Sequence, residues 1–369
     1  MACNNATEMQ AFSRTGGRQA SMSKVSRRNR GTVTIDDVAR EAGVSTMTVS
    51  RVINKGKNVR EETRENVLQA IDRLRYSPNT AARSLAAGHA TRIGLLYANP
   101  SAAYLSQFLV GSLHTARTAG CHLMIEQCET EDPILQREAA QQFVEAGVEG
   151  VVLPPPVSES EPILEALRNA DIPVVTVAMG KVENPLNVRM DDYGAAVQLT
   201  DYLIGLGHLR LAHITGEPGQ IATSLRERGF RDAAAKAGIM EVMVEPGHFT
   251  FRSGLDAAEK LLDRAVRPTA IFACNDDMAA GVVSVAHRRG LQVPGDLSVV
   301  GFDDTSLATS VWPALTTVRQ PVSAMAGSAL DMLLGALRAR RRGDPIARCE
   351  RVLDHELVIR GSACPPHSR

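Results

Sequence analysis

A short segment near the amino end carries side chains at a spacing that suits contact with DNA. Residues 46–54 favour a helix, and the side chains on one of its faces recur at i, i+1, i+4, i+5 and i+8. These side chains are Thr46, Met47, Ser50, Arg51 and Asn54. The apolar residues Val49, Val52 and Ile53 fall on the opposite face. Because short polar side chains and arginine can bind base edges and phosphates in the major groove, the segment predicts a DNA-recognition helix.

Neighbouring residues predict the elements that would hold this helix. Thr34 followed by Asp37 suits a capping box at the start of a first helix, and Gly43 suits its end. Ser45 suits the N-cap of the recognition helix. A third helix is expected from about residue 61 to residue 75. Two helices joined by a tight glycine-containing turn are typical of a helix-turn-helix, and a generic three-helix bundle is the alternative.

A second set of polar residues follows buried strands further along the chain. Asn275 comes directly after the apolar run 270–274, and Asp303 comes directly after the run 298–302. Arg226 lies near the start of a helix that follows a glycine-rich strand end, and its planar guanidinium can span two adjacent hydroxyls or a carboxylate. Because ligands bind at the carboxyl ends of parallel strands, Asn275 and Asp303 are candidates for contact with a small molecule.

Residues 91–361 alternate apolar runs with amphipathic segments. The runs predict buried parallel strands at Ile93–Tyr97, Gly150–Leu153, Pro173–Val177, Leu211–Ile214, Thr269–Ala273 and Leu297–Gly301. Strands that alternate with helices are typical of an α/β fold with doubly wound sheets. A stretch of this length is long for one such sheet, so two lobes with a cleft between them are expected.

The net charge of zero hides an asymmetry. Residues 1–89 carry 15 Lys and Arg against 8 Asp and Glu, a net charge of +7, and the remaining residues carry −7. A basic head on an acidic body indicates that only the head meets a polyanion.

Several other classes of protein are disfavoured. The six cysteines have no paired-ligand spacing, so reduced cytosolic thiols without a metal or a cofactor are expected. The first 30 residues lack the apolar core of a secretory signal, and no apolar run has the length of a membrane span. The histidines have no partners in a defensible catalytic arrangement, so an enzyme is not expected; they include His114, His122, His208, His213, His248 and His287.

On these motifs the chain resembles the LacI/GalR (lactose-repressor) family over residues 33–361. In the head the resemblance rests on 37–39, 42–45, 48–54 and 76–79, and in the linker on 82–85. In the core it rests on 275–281, 293–304 and 313–320. Arg60 departs from the pattern, because the family often has a small capping residue there; Glu61 and Glu62 can still complement the helix dipole.

The resemblance implies contacts with a pseudo-palindromic operator in double-stranded DNA. Met47 and Thr46 would contact bases, and Arg51 would contact a base or a phosphate. Thr34, Ser45, Ser50, Asn54, Asn79 and Ala82 complete the implied DNA-binding set. Leu85 corresponds to the hinge leucine that paired helices of a homodimer insert into the minor groove, where an apolar wedge unstacks one step and bends the duplex. Packing between head and core is the alternative role for Leu85.

The resemblance also implies an effector site. Arg226, Asn275, Asp303 and Gln320 correspond to polar effector contacts, Phe249 to an aromatic residue that stacks on the ligand, and Tyr104 to an aromatic residue near its rim. Donors and acceptors around an aromatic face suit a mono- or oligosaccharide, which acts as an inducer in most of the family. A co-repressor, or a non-sugar effector such as a nucleobase, is the alternative; Gln220 departs from the purine-repressor pattern, which has an arginine nearby.

Five regions are therefore expected. Residues 1–31 are a disordered basic arm, or else reflect a coding start assigned too far upstream, and residues 32–77 are the helix-turn-helix domain. Residues 78–90 form a hinge helix that is too short to be stable alone in water. Residues 91–361 bind the effector and dimerise, and residues 362–369 are a tail without the leucine heptads of a tetramer. A cytoplasmic, nucleoid-associated repressor is the expected function.

Overall fold

The computed structural model describes residues 33–53, 59–74, 91–128, 132–178 and 184–367. The chain divides into two compact units, residues 1–79 and residues 80–369. The predictions for the arm 1–31 and the hinge helix 78–90 lie outside the described residues. So do those for Asn54, Asn79, Ala82 and Leu85.

The described residues of the first unit form three helices: α1 Ile35–Glu41, α2 Thr46–Ile53 and α3 Glu61–Arg73. The Asp37 carboxylate accepts hydrogen bonds from the Thr34 backbone N–H, at 2.9 Å, and from the Thr34 hydroxyl, at 2.7 Å. Gly43 has a φ of +66°, a left-handed conformation that favours glycine in the turn between α1 and α2. The three helices bury one small core, which includes Val38, Val49, Val67 and Ala70.

The second unit has two lobes, each built on its own parallel sheet. The first lobe holds a six-stranded sheet in the order β11-β5-β4-β3-β1-β2. Its strands are β1 Arg92–Tyr97, β2 His122–Gln127, β3 Gly150–Leu153, β4 Val174–Val177, β5 Leu186–Met190 and β11 Cys349–Leu353. Its helices are α4 Ala102–Ala119, α5 Pro133–Glu145, α6 Glu161–Asn169 and α12 Val322–Arg341, with a 3-10 helix at Val157–Glu159. Helices α4 and α12 pack together, as do α5 and α6.

The second lobe holds a four-stranded parallel sheet in the order β7-β6-β8-β9. Its strands are β6 Leu211–Ile214, β7 Met243–Glu245, β8 Ala270–Ala273 and β9 Ser298–Val300. Its helices are α7 Asp192–Gly205, α8 Ile221–Lys236, α9 Phe251–Leu262, α10 Asp276–Arg288 and α11 Ser306–Ser310. A separate antiparallel pair joins β10 Thr317–Arg319 to β12 Glu356–Val358. Two parallel sheets confirm the predicted α/β class.

All six apolar runs that predict parallel strands form them, as β1, β3, β4, β6, β8 and β9. The other strands were not predicted, because their sequences lack a long continuous apolar run. Helix α12 is long and apolar enough to cross a membrane by length and composition. Its residues Met325, Leu330 and Leu333 are buried in the core of the first lobe, so this hydropathy is that of a core helix.

Candidate functional sites

Helix α2 presents an exposed polar face, as the sequence predicts. Thr46 and Arg51 are exposed, and Met47 has 64% of its surface accessible, whereas Val49 and Val52 are buried in the core of the head. The Ser45 hydroxyl accepts a 3.2 Å hydrogen bond from the Thr48 N–H at the start of the helix. A large apolar side chain that stays exposed beside an arginine is available to contact a partner.

Ser45 and Thr34 both have structural roles at helix starts. Ser45 caps α2, and Thr34 is held by Asp37 at the start of α1. Their predicted contact with DNA would have to be made in addition to these hydrogen bonds.

In the second unit, one cavity between the lobes is lined by all six residues that the sequence analysis assigns to the effector. They are Tyr104, Arg226, Phe249, Asn275, Asp303 and Gln320. Tyr104 lies on α4 of the first lobe, and Arg226 lies on α8 of the second. The volume of this inner cavity is about 50 Å³. Residues that are far apart in the chain therefore meet at the carboxyl ends of the strands.

The Arg226 guanidinium is the most heavily engaged group in the inner cavity. Its Nε and Nη2 lie 2.9 and 2.8 Å from Oδ1 of Asp192, and Nη1 donates to the Cys274 carbonyl at 2.7 Å. Its Cζ lies 3.7 Å from the centre of the Phe302 ring. Nη1 also lies 4.0 Å from the Cys274 sulfur, so these contacts engage four of the five N–H donors of the arginine and leave one for a ligand.

Asp303 brings a second carboxylate to the inner cavity. Its Oδ1 lies 4.0 Å from Nη1 of Arg226 and accepts a 2.5 Å hydrogen bond from Nε2 of Gln320. Burial raises the pKa of Asp303 to about 7, although Arg226 and Gln320 oppose this rise. Its φ of +110° is unusual for a residue with a side chain and turns the chain at the end of β9.

Asn275 has a structural role as well as its place in the inner cavity. Its Oδ1 caps α10 by accepting from the Met278 N–H at 2.9 Å, and its Nδ2 donates to the Phe249 carbonyl at 2.9 Å. Phe249 has a φ of +57°, and the tip of its ring would collide with a Cβ at Gly216. Asn275 therefore fixes the loop that carries the aromatic ring, and Gly216 leaves room for that ring.

Tyr104 lines the inner cavity, and its hydroxyl lacks a partner in the described part of the chain. Its buried oxygen has no hydrogen bond among the described residues, and burial raises the pKa of the phenol above its usual range. Nearby, the Ser101 hydroxyl donates to the Asp277 carboxylate at 2.7 Å and so links the first lobe to the second. A buried hydroxyl without a partner is a candidate for bonding to a ligand.

Sequence reasoning missed several residues of the cleft, among them Asp192, Ser101 and Glu159. Asp192 holds Arg226, Ser101 bonds to Asp277, and Oε2 of Glu159 accepts a 3.0 Å hydrogen bond from the Ile221 N–H. Asp192 follows the unpredicted strand β5, so its position at a strand end could not be read. Within the described part of the chain, no group of three or more His, Cys, Asp or Glu side chains is placed to hold a metal ion.

Comparisons with known proteins agree with this geometry. The family description "Bacterial regulatory proteins, lacI family" matches residues 34–79, and "Periplasmic binding protein-like domain" matches residues 200–363. The chain is 34% identical to the HTH-type transcriptional regulator DegA of Bacillus subtilis, over 90% of this chain and 98% of that protein. It is 33% identical to the HTH-type transcriptional repressor PurR of Photobacterium profundum, over 89% of this chain and 98% of PurR.

Two solved structures are also similar. The transcriptional regulator CelR in complex with cellobiose has a TM-score of 0.67 and 30% identity, over 90% of this chain and all of that one. The lac repressor dimer bound to operator and the anti-inducer ONPF has a TM-score of 0.67 and 26% identity, with the same coverage.

A helix-turn-helix unit in one chain with a two-lobed binding unit defines a DNA-binding transcription regulator. The chain belongs to the LacI family of bacterial transcriptional regulators. Its relatives are regulators rather than enzymes.

Proposed function

We propose that this regulator is a homodimeric, cytoplasmic repressor whose operator affinity is lowered by a sugar that binds in the inner cavity. The observation that carries the proposal is the meeting of Tyr104, Arg226, Phe249, Asn275, Asp303 and Gln320 around one space between the two lobes. The dimer would occupy a pseudo-palindromic operator through Thr46, Met47 and Arg51 of each α2. Genes for carbohydrate uptake or catabolism are the proposed targets.

The chemistry of the inner cavity favours a sugar. A sugar hydroxyl is both donor and acceptor, so it can accept from the remaining Arg226 donor and donate to Asp303. The Phe249 ring offers an apolar face to the C–H groups of a pyranose. The structural neighbour CelR was solved with cellobiose, which supports a carbohydrate effector. Because the chain is also similar to PurR repressors, a nucleobase is the alternative effector. Gln220 lines the cavity where the purine-repressor pattern would have an arginine nearby, which counts against a nucleobase.

The contacts across the cleft suggest how the ligand acts. Glu159 with Ile221 and Ser101 with Asp277 hold the two lobes together. A cavity of about 50 Å³ is far smaller than the roughly 300 Å³ or more of a typical ligand site, so the lobes must part to admit a sugar. A ligand that binds one arrangement of the lobes more tightly shifts the population towards it. That shift would change the geometry of the first lobe, which follows the predicted hinge.

A ligand screen followed by an operator titration tests the proposal. Thermal-shift measurements on the full chain would compare mono- and disaccharides with nucleobases. Any sugar that raises the melting temperature would then be added to the protein bound to its own upstream DNA at fixed salt. We expect a sugar to raise the melting temperature and to weaken DNA binding. Stabilisation by a nucleobase alone would refute the sugar, and tighter DNA binding with the sugar would refute induction.

A further inference from the structure

The cleft between the lobes continues beyond the inner cavity into a second space, the outer compartment. Its volume is about 550 Å³. Pro100, Pro156 and Gln220 line both spaces, so the two adjoin. The six residues assigned to the effector do not line the outer compartment. The proposed site therefore extends to residues that no sequence motif identifies.

The lining of the outer compartment carries hydrogen-bond acceptors on two sides. Glu159 uses Oε2 to accept from the Ile221 N–H, and its buried Oε1 has no hydrogen bond among the described residues. Glu217 lies on the other side, where its Oε2 is 2.7 Å from Nδ1 of His248. A buried carboxylate oxygen without a donor is costly, and a ligand hydroxyl would supply that donor.

The rest of the lining is suited to an uncharged ring. Ala98, Pro100 and Val157 provide apolar surface for C–H groups. Two carboxylates and one histidine, on the two sides of the compartment, make its lining net acidic, which disfavours a phosphate group there. The inner cavity does not compensate, because Asp192 and Asp303 already accompany its one arginine.

We propose that the effector is a neutral disaccharide, with one ring in the inner cavity and the second ring in the outer compartment. The hydroxyls of the second ring donate to Glu217 and, once the parting of the lobes uncovers it, to the buried Oε1 of Glu159. The inner cavity can take its ring only after the lobes part, whereas the outer compartment already has room for a ring. This inference rests on the proposed sugar response. It adds the length of the sugar, its lack of charge and two residues that contact it.

Calorimetry on the full chain tests the length of the ligand. Cellobiose, maltose and lactose would each be compared with glucose and galactose, and with glucose 6-phosphate. We expect one disaccharide to bind at least about tenfold more tightly than its component monosaccharides. A tenfold gain in affinity is about what one or two added hydrogen bonds to charged groups would supply. Glucose 6-phosphate should bind more weakly than glucose.

Variants test the two contact residues. Glu217→Ala and Glu159→Ala should each lower the ratio of disaccharide to monosaccharide affinity by about tenfold, and the Gln variants, which keep one acceptor oxygen, should lower it less. Glu138→Gln, an exposed carboxylate on α5 outside the lining, should leave the ratio unchanged.

The outcomes separate this inference from the proposed function. If glucose or galactose binds as tightly as every disaccharide, the proposed binding of a second ring in the outer compartment is wrong, whereas the proposed response to a sugar is unaffected. An unchanged affinity ratio in Glu217→Ala and Glu159→Ala would also overturn the inference. If nucleobases bind and no sugar in the panel does, the proposed sugar response falls and this inference falls with it.

Discussion

Oε2 of Glu159 in the first lobe accepts a 3.0 Å hydrogen bond from the backbone N–H of Ile221, the first residue of α8 in the second lobe. The contact places a carboxylate at a helix N-terminus, where the exposed N–H groups and the dipole favour negative charge. Burial nevertheless raises the pKa of Glu159 to about 7, with Asp192 adding to the rise and the hydrogen bond opposing it. The link between the lobes is therefore sensitive to pH.

The first prediction concerns this pH dependence. The usual pKa of Glu159 is 4.5, so between pH 4.5 and about 7 the folded protein holds a proton that the unfolded chain releases. The free energy of unfolding must then fall as the pH rises through this window. Asp303, whose pKa is also raised to about 7, acts in the same direction. Glutamine does not titrate, so Glu159→Gln should remove one of the protons that the folded protein binds in this window. The free energy of unfolding should then fall less steeply as the pH rises.

Melting temperatures between about pH 5 and pH 8 would measure this fall. Glu138→Gln serves as the control, because Glu138 is exposed and should leave the slope of the wild type unchanged. An equal slope in the wild type and in Glu159→Gln would show that Glu159 does not titrate in this window.

The second prediction concerns Arg226. Arg226→Ala would leave Asp192 and Asp303 buried without their cation, which should cost about 3–5 kcal/mol of stability. Arg226→Lys keeps the charge but loses the planar fork, so it should fold and yet bind the sugar at least about tenfold more weakly.

Calorimetry with the best sugar, together with thermal unfolding, would check both Arg226 variants. Arg231→Lys on the same helix is the matched control, because Arg231 is exposed and pairs with Glu227. Wild-type sugar affinity in Arg226→Lys would remove Arg226 from the proposed effector site.

The surroundings of Arg226 show what a sequence can and cannot convey. The position of Arg226 near a helix start could be predicted from the sequence. Its pairing with Asp192 could not, because Asp192 follows β5, a strand without a long apolar run. Asn275 was readable as a residue at a strand end, whereas its role as the N-cap of α10 required the backbone geometry. Burial and pairing depend on which elements meet, and periodicity does not carry that information.

The strands show the same division. Buried strands such as β3 and β8 consist of four successive buried residues, so their apolar runs predict them directly. Strand β2 is an edge strand whose residues are half-buried or exposed, so no such run marks it. The helices of the head were predicted to within about two residues, because capping residues such as Thr34 and Ser45 mark helix starts locally.

The third prediction concerns the DNA-recognition face of α2. Arg51→Ala should abolish specific operator binding, and a Met47 substitution should change the preferred base at one position of each half-site. A base contact is typically worth about 1–3 kcal/mol. Fluorescence anisotropy with a systematic operator scan at fixed salt would measure both effects.

Arg73→Ala is the charge-matched control for the head, because Arg73 lies on α3 and pairs with Glu41. It should keep the base preference of the wild type. A Met47 variant with the wild-type affinity for every base would refute the assignment of base readout to Met47.

The fourth prediction concerns the coupling between the two units. If a sugar weakens operator binding by some factor, operator DNA must weaken sugar binding by the same factor, because the two share one coupling free energy. Such coupling is typically about 1–3 kcal/mol. Calorimetry of sugar binding with and without operator, beside operator titrations with and without sugar, would give the two factors independently.

Two variants divide this coupling into its parts. Arg226→Lys should hold the operator as the wild type does and should need at least about tenfold more sugar to release it, because its head is intact and its cavity is altered. Leu85→Ala, at a position known from the sequence alone, should bind the sugar normally and hold the operator weakly, since the resemblance makes Leu85 a minor-groove wedge. If Leu85→Ala keeps full operator affinity, Leu85 does not act as a minor-groove wedge, and packing between head and core is the better role for it. If Arg226→Lys releases the operator at the same sugar concentration as the wild type, the sensing site lies elsewhere in the second unit.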